Sequence, residues 1–422
     1  MHRRFNLFFL AAAAGLSVAA SSSAVAAGPA DSPRPGWVGS WSASPQPLWE
    51  DAFVLPTGMP DELRGQTLRE TLMLSLGGPR LRVVLSNRYG TRPLVIGAAH
   101  VALAAGGAAI RTGSDRALAF GGRPGVTVAP GAQAVSDPVD LPVPALAELA
   151  VSTYFPEATP VATFHWGAQQ TGALVRGDAT GAADLPGAQP LQGRAFLAGV
   201  WVESPSRAPV VAAFGDSLTD GNGSTPGANR RWPDFLARRL APQGVGVLNA
   251  GISGARVWSD KMGVNAMARF DADVLSQPGV RAVVVTMGIN DIGWPDSGFA
   301  PGDAPMTAAR LAEGYRQLAE SARARGVRIV GGTLAPYEGS LHGTPLSGHY
   351  SEAKDAVRRE VNRWIRESGV FDAVVDFDAV LRDPAHPARL LPAYDSGDRL
   401  HPNDAGYEAM AQALDRATLF GD

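Results

Sequence analysis

From residue 210 onward the chain alternates short, largely apolar runs with longer stretches whose apolar residues recur at helical spacing, and this alternation constrains the fold more than any other feature. Runs at 210–214, 245–249, 282–287, 327–334 and 373–377 read as buried strands. Stretches at 232–240, 308–325, 352–367 and 404–417 read as helices, and in the third of these Ala353, Val357, Val361, Trp364 and Ile365 share one apolar face. The pattern predicts a parallel sheet covered on both faces, with ligands bound beyond the carboxyl ends of its strands.

The preceding part has a different texture. Between Trp37 and Trp201 short alternating apolar stretches, such as 68–76, 81–85 and 149–154, are broken by Gly, Pro and Asn. Short strands at close spacing predict an N-terminal antiparallel β-sandwich over 37–203. A linker-like run, Glu203-Ser204-Pro205-Ser206-Arg207-Ala208-Pro209, then leads into an α/β domain over 208–422. At 422 residues the chain exceeds what one ordinary core organises. With 45% hydrophobic and 18% charged residues it has the composition of a packed protein, and its 49 Gly and 33 Pro supply many turns.

Residues 1–27 read as a cleaved export signal: Arg3 and Arg4, an apolar run over 5–20, and the small-residue site Ala24-Val25-Ala26-Ala27. The expected location is therefore outside the cytoplasm, secreted or periplasmic. The apolar run is short for a membrane span and ends in Ser21-Ser22-Ser23. The residues around the Arg pair fit twin-arginine export poorly. Removing this leader, which holds two basic residues and no acid, takes the 37 basic residues to 35 against 40 acidic ones. A net negative charge argues against nucleic acid or an anionic membrane as partner. The absence of cysteine excludes disulfides, thiolate catalysis and Cys-based zinc sites.

Four polar segments follow the ends of predicted strands or precede the last helix. They are Gly215-Asp216-Ser217-Leu218, Asn249-Ala250-Gly251-Ile252-Ser253-Gly254, Gly288-Ile289-Asn290-Asp291 and Asp398-Arg399-Leu400-His401-Pro402. A serine hydroxyl is a poor nucleophile at neutral pH and needs a base, a role open to His401. The resulting imidazolium needs an oriented carboxylate, and Asp398 lies three residues away. Asp395 is its nearby rival. An oxyanion formed on the substrate needs fixed donors, for which the Ser217 and Gly254 N–H groups and the Asn290 side chain are the candidates, with Gly251 as the competitor of Gly254.

These four segments resemble the sequence blocks of the SGNH hydrolases, the GDSL esterase/lipase family, over about 210–414. The family's Ser, Gly, Asn and His fall on Ser217, Gly254, Asn290 and His401, and its Asp-x-x-His acid on Asp398. The resemblance implies a flavodoxin-like three-layer fold and ester hydrolysis by a serine nucleophile. The segment from Trp37 to Pro45 also resembles the leading region of large exported members with an added N-terminal β domain, among them acetyl esterases of plant polysaccharides. The stretches 294–306 and 337–350 are where members differ, and they leave the substrate open.

The remaining polar and aromatic residues carry less. Asn403 and Asp404 read as caps of the last helix. His165 reads as a packed residue of the front domain, while His342 and His349 are candidates for lining a substrate pocket. Trp37, Trp41, Trp49 and Trp166 are read as core residues in preference to a sugar-stacking platform. No metal or nucleotide motif is present, so no cofactor is expected, and the Gly-x-Ser-x-Gly elbow of α/β-hydrolases is missing. The expected activity is that of a serine esterase on a short-chain acyl or acetyl ester, small or carbohydrate, with no nucleic-acid partner and no integral membrane association. The alternatives are a lipase, thioesterase or phospholipase of the same family and, from another class, a polysaccharide-binding protein with a dead catalytic site. Oligomeric state is not legible.

Overall fold

Strands Val210–Gly215, Gly246–Gly251, Val280–Thr286, Arg328–Gly332 and Ala373–Val375 form an all-parallel sheet, seen in a computed structural model that describes residues 36–49, 53–204, 206–344 and 346–421. The expected signal over 1–27 lies outside the described residues. In the sheet the second strand stands at one edge, the first lies beside it, and the third, fourth and fifth follow in order. The strand order therefore reverses at Val210–Gly215, which opens a crevice between the turns that follow this strand and the third.

Alternation along the first strand assigns its two faces. Val210, Ala212 and Phe214 join one core with Phe270, with Leu311, Tyr315 and Leu318 of helix Ala308–Ala324, and with Val361 and Ile365 of helix Glu352–Glu367. Val211 and Ala213 point the other way, into Trp232 and Leu236 of helix Trp232–Leu240 and Tyr407 and Met410 of helix Asp404–Gln412. A strand buried on both faces is apolar at nearly every position. That is why these runs stand out in the sequence.

The region before residue 204 is mostly antiparallel. Strand Gly36–Ser42 pairs with Leu197–Ser204, which pairs with Gly78–Ser86, while a second sheet is built around Gln66–Met73, Ala98–Gly106, Glu148–Phe155 and Thr171–Arg176. This region is bonded directly to the parallel sheet and to the turn before its third strand: Gly39 N donates to Pro278 O at 2.8 Å, Ser42 Oγ to Asn249 O at 3.0 Å, and Val247 N to Ser75 Oγ at 3.0 Å. Val38 and Trp41 also share the core that holds Phe214 and Leu248. The described residues pack together as one compact unit.

Three readings of the elements need correction. Ala353 is exposed, and the helix that carries it buries Asp355, Arg358 and Asn362 beside Val361 and Ile365. The last predicted helix stops at Gln412, and a separate short helix, Arg416–Phe420, begins after Asp415, whose side chain accepts from Thr418 N. The fifth strand ends at Val375 because Asp376 accepts from Ala379 N and starts helix Phe377–Leu381. Among the described residues, no helix is long and apolar enough to cross a membrane.

Candidate active site

Ser217 opens a four-residue helix, Ser217–Asp220, directly after the first strand. The Asp216 side chain accepts from Leu218 N at 3.1 Å and fixes the start of this turn. The turn is tight enough that a Cβ on Gly215 would stand 2.0 Å from Thr219 Oγ1 and 2.7 Å from Thr286 O, so only glycine fits there. Burial pushes the Asp216 carboxyl up to about 7, against the stabilising bond from Leu218 N–H.

The loop after helix Phe377–Leu381 brings in the other two groups. His401 Nε2 lies 2.8 Å from Ser217 Oγ, although the residues are 184 apart in the chain. His401 Nδ1 lies 2.5 Å from Asp398 Oδ2. Because a carboxylate only accepts, Nδ1–H donates to Asp398 and the Nε2 lone pair faces the serine hydroxyl. Asp398 Oδ1 accepts from Leu400 N at 2.9 Å and His401 N at 2.8 Å, in a turn closed by Arg399 at φ 61°. Burial opposes the charge on Asp398, but the bond to His401, the His401 charge and these two N–H groups outweigh it and hold the carboxyl well below the usual carboxylate range. Asp395 plays another part: its Oδ1 accepts from Gly397 N and Arg399 N and shapes the turn.

The second strand leads to Gly254, at φ 74°. A Cβ there would meet Met262 Sδ at 2.4 Å and Trp294 Cζ2 at 2.8 Å, so conformation and packing both require glycine. Gly251, its competitor, donates its N–H to Asn249 Oδ1 at 2.8 Å. After the third strand, Asn290 lies in the short helix Ile289–Gly293 and donates from Nδ2 to Ala255 O at 3.2 Å, which ties it to the Gly254 loop. Asp291, buried beside it, accepts from Val257 N at 2.8 Å and Trp258 N at 3.2 Å. Burial raises the Asp291 carboxyl to about 6.

The other sequence candidates disperse. Asn403 caps the last helix through Ala405 N and Gly406 N, whereas Asp404 binds Thr225 and Arg230. His342 is exposed. His349 is fully buried between Tyr337 and Phe299, with Nδ1 3.1 Å from Ser340 Oγ, and burial pushes it down to about 3. Trp37 lies under the Arg82 guanidinium and Trp41 under that of Arg194. Trp49 and Trp166 instead contact each other beside Phe53, which reaches Trp294 and Phe299.

Sequence reasoning missed the supports of these loops. Arg269, wholly buried, donates to Ala250 O at 2.8 Å and Gly215 O at 3.0 Å and so locks together the ends of the first two strands. Asp220 accepts from both the N–H and the hydroxyl of Ser253. Only the polar residues Thr219-Asp220 immediately after the serine segment hinted at such a role. Among the described residues no group of three or more His, Asp or Glu is placed to hold a metal ion.

No curated protein matches the chain. Several solved structures are similar to about half of it. A carbohydrate acetylesterase family member from Sinorhizobium meliloti is 18% identical, covers 51% of this chain and 100% of its own, and has a TM-score of 0.39. A GDSL-like lipase from Bacteroides thetaiotaomicron is 17% identical over 50% of this chain and 88% of its own, with a TM-score of 0.37. An acetyl xylan esterase is 20% identical over 48% and 96%, with a TM-score of 0.35. The stretch 213–409, which contains the Ser217 turn, the Gly254 and Asn290 loops and the His401 segment, matches the model of the GDSL-like Lipase/Acylhydrolase family, and this part of the chain is a GDSL-like lipase/acylhydrolase domain.

Proposed function

We propose that the protein is a secreted serine esterase that cleaves carboxylic esters through an acyl-enzyme, with Ser217 as nucleophile, His401 as base and Asp398 as the carboxylate that orients it. The observation that carries this reading is the unbroken relay from Asp398 Oδ2 to His401 Nδ1 at 2.5 Å and from His401 Nε2 to Ser217 Oγ at 2.8 Å. Ser217 Oγ attacks the ester carbonyl carbon while His401 Nε2 takes the hydroxyl proton. The carbonyl π pair moves onto oxygen, and the Ser217 N–H, the Gly254 N–H and Asn290 Nδ2 stabilise that oxyanion. Collapse of the tetrahedral centre breaks the bond to the alkoxide, which leaves with the proton from His401. Water then attacks the acyl-serine, giving its proton to His401, which returns it to Ser217 Oγ as the acid departs.

We take the acyl group to be short, acetyl or little longer, because the side of Gly254 on which a Cβ would stand is already filled by Met262 and Trp294. The finer architecture we propose is a flavodoxin-like three-layer domain preceded by a β-sandwich, with residues 1–27 removed on export. Mass spectrometry of the protein recovered outside the cytoplasm should find a first residue of Gly28; an intact Met1 there would overturn the cleavage.

Activity is tested with p-nitrophenyl esters of increasing chain length. Ser217→Ala should fold and lose at least about 10³-fold in kcat, and a fluorophosphonate should label the parent but not the variant. Turnover and labelling that survive in Ser217→Ala would refute the assignment. An optimum at long chains would favour a lipase, and a parent that resists the probe would favour a binding protein.

A further inference from the structure

The front β region reaches into the catalytic loops through one imidazole. His165 ends strand Thr163–His165, is buried, and has both ring nitrogens engaged. Its Nδ1 is 3.0 Å from Ser44 O, on the front region's own backbone, and its Nε2 is 3.0 Å from Asp220 Oδ1, in the turn that begins with Ser217. Each ring nitrogen faces one acceptor, so a tilt of the ring lengthens one of the two contacts.

The other oxygen of Asp220 continues the connection. Asp220 Oδ2 accepts from Ser253 N at 2.8 Å and Ser253 Oγ at 2.6 Å, and Ser253 immediately precedes Gly254. The approach is close: a Cβ on Gly167 would stand 2.0 Å from Asp220 Oδ2 and 2.7 Å from Ser253 Oγ. Other residues of the front region add two more ties. Gln169 Nε2 donates to Asn222 Oδ1 at 3.0 Å, an oxygen that also faces Ser253 Oγ at 3.0 Å. Gln46 accepts from Trp166 N at 2.7 Å and donates to Met262 O, so the far side of the Gly254 loop is held from the same region.

We infer that His165 is a positioning residue for ester hydrolysis: through Asp220 and Ser253 it sets where the Gly254 N–H points, so the front β region completes the oxyanion site. This inference rests on the esterase reading. His165 lies behind the loops and touches neither the reacting atoms nor the serine hydroxyl, so its influence falls on the transition state more than on substrate binding. An oxyanion donor is worth about 10²- to 10³-fold in rate, and a displacement of about 1 Å can cost about 10²-fold. Loosening the support without removing the donor should therefore cost about 10- to 100-fold.

The test uses the full chain, p-nitrophenyl acetate and phenylboronic acid, which adds to an activated serine as a tetrahedral anion. In His165→Ala, kcat should fall about 10- to 100-fold with KM within about twofold, and the inhibition constant of phenylboronic acid should rise by a similar factor. His165→Gln, which keeps bulk and one donor, should fall between the parent and His165→Ala, and it supplies the same readout if the alanine variant does not fold. Parental kcat and boronate affinity in the variants, or a loss confined to KM or to melting temperature, would overturn the inference. Ser217→Ala, assayed in parallel, separates the two claims: an inactive Ser217→Ala beside an unimpaired His165 variant removes only the positioning role, whereas a Ser217→Ala that keeps its turnover removes both.

Discussion

Carboxylates around Ser217 respond to pH in opposite senses. Asp398 is held below the usual carboxylate range, so the stability it contributes is complete above about pH 4 and is lost as acid protonates it. Asp216, pushed up to about 7, and Asp291, pushed up to about 6, behave the other way. Each binds its proton more tightly in the folded than in the unfolded chain, so the stability it lends is full below about pH 4 and disappears as pH rises through the folded value. Asp216→Asn keeps an oxygen for Leu218 N and carries no charge. Its melting temperature relative to the parent should therefore climb between pH 5 and pH 8, as differential scanning fluorimetry would show; a flat difference would rule out this account. Asp398→Asn should lower kcat by about 10⁴-fold, because the amide no longer selects the His401 tautomer, and progress curves with p-nitrophenyl acetate measure it. The serine, imidazole and carboxylate were legible because each sits in a short segment whose chemistry is complete in itself. His165 was not, since its partner Asp220 is 55 residues away and nothing in Phe164-His165-Trp166 distinguishes a bridging ring from a packed one.

At the scale of elements, the long ones were legible and the short ones were not. Helices Trp232–Leu240 and Glu352–Glu367 match their periodic stretches because a repeating apolar face is written into the sequence. Helices of four or five residues, such as Ser217–Asp220, Ile289–Gly293 and Phe377–Leu381, span too few turns to show a period and are fixed by caps and neighbours. The buried side of Glu352–Glu367 misled for a related reason, since part of it is polar. Arg358 donates to Asp355 at 2.7 Å, Asp378 at 2.8 Å and Leu334 O at 3.1 Å, while Asn362 both accepts from Leu334 N and donates to Leu334 O. Arg358→Ala leaves two buried carboxylates without this partner and should cost about 3–5 kcal/mol in urea unfolding, with kcat per folded molecule unchanged. A cost under about 1 kcal/mol would mean that the pair is not sealed from water.

For the molecule as a whole, the change of texture near residue 205 marks a change of architecture but no break in packing. Ser42 to Asn249, Ser75 to Val247 and His165 to Asp220 are bonds between the two parts, and a common core holds Val38 with Phe214. Calorimetry should accordingly give one endotherm with matching calorimetric and van't Hoff enthalpies, and two resolved transitions would contradict it. A composition shift says nothing about such interlocking, because the residues that interlock come from distant stretches and are individually ordinary.

Strand Gly36–Ser42 carries this interlocking into the order of synthesis. It leaves the ribosome early with Val38 and Trp41 uncovered, yet its pairing strand begins at Leu197 and its Ser42 hydroxyl waits for Asn249, 207 residues downstream. At about 5–20 residues per second that delay is roughly 10–40 s, during which the strand can reach Ser75 and Leu76 but lacks its bond to Asn249. The front region therefore reaches its final packing only after Asn249 has been made.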